Sequence, residues 1–63
     1  MNIKQVQSYL REIDTTKQEI KIEYLDKFYA YKYNDNVKLE ELEAKLGEFV
    51  ELIFHDGILT RVS

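Results

Sequence analysis

Near the C-terminus, Asp56-Gly57 sits between two apolar runs, Phe49 to Phe54 and Ile58 to Val62. A two-residue type I′ turn needs positive φ at both central positions, and Asp-Gly is one of the few pairs that accept it, so this stretch commits the chain to a β-hairpin. A two-residue loop pairs His55 with Ile58, Phe54 with Leu59 and Ile53 with Thr60. One face then carries Val50, Leu52, Phe54 and Leu59, and the other carries Phe49, Ile53, Ile58 and Val62. Both faces are apolar, and one layer of helix covers only one of them. Phe49, Ile53, Ile58 and Val62 are therefore the candidates for self-association, or for meeting a further helix or a target.

The second organising stretch is Phe28-Tyr29-Ala30-Tyr31-Lys32-Tyr33. In a strand, Tyr29, Tyr31 and Tyr33 share one face. Upstream, Ile20, Ile22 and Tyr24 alternate with Lys21, Glu23 and Leu25, which reads as two strands joined near Leu25, Asp26 and Lys27. That turn lacks the Gly or Asn that positive φ favours. A heptad through Lys17, Ile20, Tyr24, Lys27 and Tyr31, capped by Thr16 and Glu19, is the helical alternative. Strands are preferred, because aromatic and β-branched residues dominate residues 20–33.

At the N-terminus, Asn2 with Gln5 three residues on offers an N-cap, and Ile3, Val6, Leu10 and Ile13 follow at steps of three and four, which predicts an amphipathic helix over residues 3–13. Asp14, Thr15 and Thr16 break it. After the turn formers Asn34, Asp35 and Asn36, a helix is expected from Val37, with Leu39, Leu42 and Leu46 inward, Glu41 and Lys45 paired, and Gly47 as the left-handed terminator. The expected fold is thus a single α+β domain over residues 1–63: N-terminal helix, strand pair, short acidic helix and C-terminal β-hairpin in a mostly antiparallel sheet.

A 63-residue chain without cysteine and with one histidine has no disulfide and little metal-binding capacity to reinforce a small core, so homodimerisation or a bound partner is the expected support. His55 lies beside the turn, the carboxylates are spread along a helix, and both glycines have structural uses, so neither catalytic residues, nor a metal site, nor a cofactor is expected. No apolar run is long enough to span a bilayer and no secretory leader is evident, which points to a cytoplasmic protein without membrane contact. Phe, Tyr, Met, Ile, Asn and Lys total 25 residues against 6 for Gly, Ala, Arg and Pro, a bias that fits a low-GC bacterium or its phage.

The net charge of −3 is unevenly spread: residues 1–34 carry +1, residues 35–56 carry −5, and Arg61 supplies the rest. Glu40, Glu41 and Glu43 on the expected helix form a charge row suited to a basic partner surface. Tyr29, Tyr31 and Tyr33 beside it are candidate interface anchors. Tyrosines interleaved with Lys21, Lys27 and Lys32 are also compatible with a small single-stranded nucleic-acid-binding module, although the acidic second half disfavours nucleic acid.

Over residues 27–62, the run Lys27-Phe28-Tyr29-Ala30-Tyr31-Lys32-Tyr33, the polar turn, the acidic Leu39-Glu40-Glu41-Leu42-Glu43, Gly47 and an apolar strand resemble the layout of small phage-encoded inhibitors of uracil-DNA glycosylase. The resemblance implies a compact acidic dimer that occupies a DNA-binding cleft as a DNA mimic and catalyses nothing. It assigns the charge row to Glu40, Glu41 and Glu43 and the flanking anchors to Tyr29 and Tyr31. The N-terminal helix and the Asp56-Gly57 hairpin depart from that layout. The expected function is accordingly a non-enzymatic protein-binding module that inhibits a larger protein with a basic or DNA-binding surface, a structural obligate homodimer being the alternative.

Overall fold

A computed structural model describes residues 2–63. The chain is a mostly antiparallel five-stranded sheet with one short helix: β1 (Ile3–Asp14), β2 (Glu19–Tyr24), β3 (Lys27–Lys32), α1 (Leu39–Lys45), β4 (Phe49–His55) and β5 (Ile58–Val62). The sheet order is β3-β2-β1-β4-β5. Its two outer strands approach at a parallel bridge between Tyr33 and Leu59, reinforced where the Asn34 amide donates to the Leu59 carbonyl at 2.8 Å. A meander of three strands, a helix, and a hairpin that pairs back onto the first strand make the connectivity of the OB-fold, a partly open five-stranded barrel.

The N-terminal helix expected over residues 3–13 is overturned, and the α+β layout with it. Val6, Leu10 and Ile13 do share the inner side, but on a strand. The step of four from Val6 to Leu10 is two strand periods. The step of three to Ile13 is one period plus the extra residue of a bulge between Leu10 and Glu12. A bulged strand thus reproduces a helical spacing, and cross-strand pairing on both sides of β1 decides between them. Asn2 caps no helix: its amide donates to Asp56 Oδ1 at 3.0 Å, and the Asp56 amide donates to its carbonyl at 2.8 Å.

Residues 19–32 form the expected strand pair, excluding the heptad alternative. Its two-residue turn is closed by Leu25 at φ 52° and Asp26 at φ 64°, both left-handed without glycine. In the C-terminal hairpin His55 faces Ile58 and Phe54 faces Leu59, as the Asp56-Gly57 turn dictates, but a bulge between Ile53 and Phe54 places Arg61, not Thr60, opposite Ile53. Val62 consequently pairs with Leu52 and packs against the core, away from Phe49, Ile53 and Ile58.

The core comprises Leu10, Ile20, Ile22, Val37, Leu42, Val50, Leu52, Phe54 and Leu59. Helix α1 is shorter than expected, with Lys38 at its N-cap making no side-chain cap bond. Asn36 instead donates its amide to Asn34 Oδ1 and its side chain to the Thr60 carbonyl, tying the β3–α1 loop to β5. Of the expected leucine stripe only Leu42 is buried, joined by Val37, while Leu39 and Leu46 are exposed. Gly47, at φ 85°, turns the chain after α1, and its amide donates to the Leu10 carbonyl.

Candidate functional site

Strand pairing sorts the side chains onto two faces. Ile20 faces Tyr31 and Ile22 faces Tyr29, so the odd-numbered tyrosines of β3 share the core side with the isoleucines of β2. Tyr31 and Tyr33 are half-buried against the core, and Tyr31 lies 4.6 Å from Phe54. Of the three, Tyr29 is the most accessible, at 39% exposure, near the end where β3 and β5 part. The three tyrosines are brought together, but they line the barrel more than they project from it.

On the outer face, register aligns Phe28, Glu23, Tyr9 and Phe49 in one row across β3, β2, β1 and β4. Phe28 and Phe49 are 61% and 59% exposed. Tyr9 and Phe49 meet edge to face with centroids 5.1 Å apart. Arg11 lies over the Tyr9 ring at 4.8 Å and bonds Glu23 Oε1 through Nε at 2.8 Å. Two positions on from Tyr9, Arg11 lies on the same face of β1. Tyr9 and Arg11 escape a helical reading of β1; their spacing of two beside Gln5 and Gln7 is the strand signal that reveals them.

Below the row, charges alternate in cross-strand pairs. Lys21 lies 3.7 Å from Glu12 and Lys32 3.6 Å from Glu19, so two of the three lysines proposed to flank a nucleic acid are matched by carboxylates, while Lys27 is exposed without an ion pair among the described residues. Glu40, Glu41 and Glu43 are exposed on α1, and the Glu41–Lys45 ion pair expected from spacing is not formed within 4.0 Å. Phe49 and Ile58 are exposed and Ile53 is half-buried; Val62 leaves that set.

His55 is half-buried at the end of β4, beside the turn. Among the described residues no group of three His, Cys, Asp or Glu is arranged to hold a metal ion, and no helix is long and apolar enough to cross a membrane. The chain matches no protein-family model, no curated protein and no solved structure.

Proposed function

We propose that this chain is a non-catalytic protein-binding module that engages, and by occupying its surface inhibits, a larger protein with a basic or DNA-binding face, in a cytoplasmic, phage-type setting. The observation that carries this is the outer row of Phe28, Tyr9 and Phe49 with Arg11. Exposed aromatics and arginine are the residue types that dominate protein-interface energetics. The carboxylates of Glu40, Glu41 and Glu43 supply the charge that steers a basic partner. The resemblance of residues 27–62 to the small phage-encoded inhibitors of uracil-DNA glycosylase points to the same reading.

The test is to purify a partner from the native host with the tagged chain, identify it, and measure its affinity for variants. Phe28→Ala with Phe49→Ala, and reversal of Glu40, Glu41 and Glu43 to lysine, should each weaken binding at least tenfold while the variants stay folded. Unchanged affinity in both would overturn the proposal.

A small single-stranded nucleic-acid-binding module is the second reading, favoured by the barrel connectivity and by bases stacking on such aromatics. The matched lysines weigh against it. Anisotropy with a fluorescent oligothymidine at low salt separates the two, since a nucleic-acid binder gives salt-dependent binding there.

A further inference from the structure

β1 is paired on both sides only at its middle. It meets β4 through Ile3 to Tyr9, and it meets β2 only from Tyr9 onward. Leu10 exchanges backbone bonds with Glu48 and Gly47, and Asn2 accepts from Asp56, so even-numbered residues in this half of β1 direct their backbone groups toward β4. Ile3, Gln5 and Gln7 therefore direct theirs the opposite way, where none of the described strands lies.

This open edge borders a slot whose far wall is the β2–β3 hairpin tip. On the core side lies a hollow of about 290 Å³, floored by Val6 and Ile22, walled by Tyr24, Tyr29 and Tyr31, with Lys4 at its rim. On the other side a hollow of about 410 Å³ is lined by Tyr9, Phe49 and Leu25 with the carboxylates Glu23 and Asp26. Ser8 also lines this second hollow, and its buried Oγ has no hydrogen-bond partner. Tyr24 borders both, and it faces Gln5 and Gln7 across the slot.

We infer that the open edge of β1 takes an extended peptide segment of the partner as an added strand, apolar at alternate positions and basic at those between. This rests on the protein-binding reading above and names the kind of segment bound. Added strands gain affinity from main-chain bonds and specificity from hollows that receive alternate side chains. The core-side hollow is apolar and aromatic and suits a leucine- or isoleucine-sized group. The other has aromatic rings for the stem of an arginine or lysine and, for its head, the carboxylate of Asp26, with Glu23 beside it already bonded to Arg11 through Oε1. The hairpin tip forms the far wall of the slot, with Tyr24 lining the hollows on both sides of it.

The probe is a blocked hexapeptide alternating arginine and isoleucine, titrated into the isotope-labelled full chain and followed by NMR and amide exchange. Binding should slow exchange of the Gln5 and Gln7 amides at least tenfold and shift Tyr24. Gln7→Pro removes an amide that no described strand uses, so the variant should stay folded and lose at least tenfold in affinity. The same peptide N-methylated on its pairing edge should bind at least tenfold more weakly and serves as the control if Gln7→Pro does not fold. Equal binding of the N-methylated peptide, or of one alternating glutamate and isoleucine, overturns the inference. So does protection of Gln5 and Gln7 that grows with protein concentration without peptide, since a second copy then occupies the edge. Phe28 lies outside the slot: partner binding that depends on Phe28 together with no hexapeptide binding rejects the slot and leaves the protein-binding proposal standing.

Discussion

Tyr31 lies against Phe54 with ring centroids 4.6 Å apart and planes tilted by 47°, joining β3 to β4 across the barrel interior where backbone pairing is absent. Among the described residues the outer strands, β3 and β5, approach at the Tyr33–Leu59 bridge and the loop beside it. Tyr31→Ala is therefore expected to cost about 3 kcal/mol, and Tyr31→Phe, which keeps the ring, less than about 1 kcal/mol. Urea unfolding of both variants checks the difference.

Leu25 and Asp26 both occupy the left-handed region, and Leu25 is 78% exposed, so no packing offsets its strain. A non-glycine residue costs about 1–2 kcal/mol in that conformation. The double substitution Leu25→Asn with Asp26→Gly installs the pair that a type I′ turn favours, and should raise stability by about 1–2 kcal/mol and the thermal midpoint by several degrees. Calorimetry reads the shift, and no rise would contradict the turn geometry.

Leu42 is fully buried in the core, whereas Leu39 and Leu46 on the same sequence stripe are exposed. Leu42→Ala should cost about 3 kcal/mol, a large share of what so small a domain possesses. Leu46→Ala should cost less than about 1 kcal/mol. Equal losses at the two positions would restore the longer amphipathic helix that spacing alone suggests.

Ser8 is 1% exposed, and its Oγ lacks a hydrogen-bond partner. A buried hydroxyl left unpaired costs on the order of 1–3 kcal/mol, so Ser8→Ala should leave stability unchanged or raise it by about 1 kcal/mol. Chemical denaturation of the free chain decides this, a loss above about 1 kcal/mol being the contrary result.

Wherever a local rule decides, the structure follows from the residues. Asp56-Gly57 makes its hairpin because its turn needs positive φ at both positions, and Gly47 turns the chain after the helix for the same conformational reason. The aromatic and β-branched run from Ile20 to Tyr33 forms strands even though its turn residues are poor, because side-chain pairing across the ladder outweighs one strained turn. The exposure of Glu40, Glu41 and Glu43 likewise follows from helical spacing around Leu42.

Where a non-local partner decides, spacing misleads. Ile3, Val6, Leu10 and Ile13 fit a helix, and a bulged strand fits nearly the same positions; only β2 and β4, pairing on either side of β1, settle the choice. The second bulge, beside Phe54, moves Val62 into the core and Arg61 opposite Ile53. Tyr9, Arg11, Phe28 and Phe49 become one surface only after four strands are in register.

The sequence by itself determined the hairpin, the acidic helix and the charge asymmetry, because each is set by residues a few positions apart, and it favoured the strand pair without excluding a helix. Tertiary structure alone decided that the N-terminal segment is a strand, that the tyrosines turn largely inward, and that β1 keeps an open edge. Those outcomes depend on which distant backbone groups find partners, and local spacing carries no record of that.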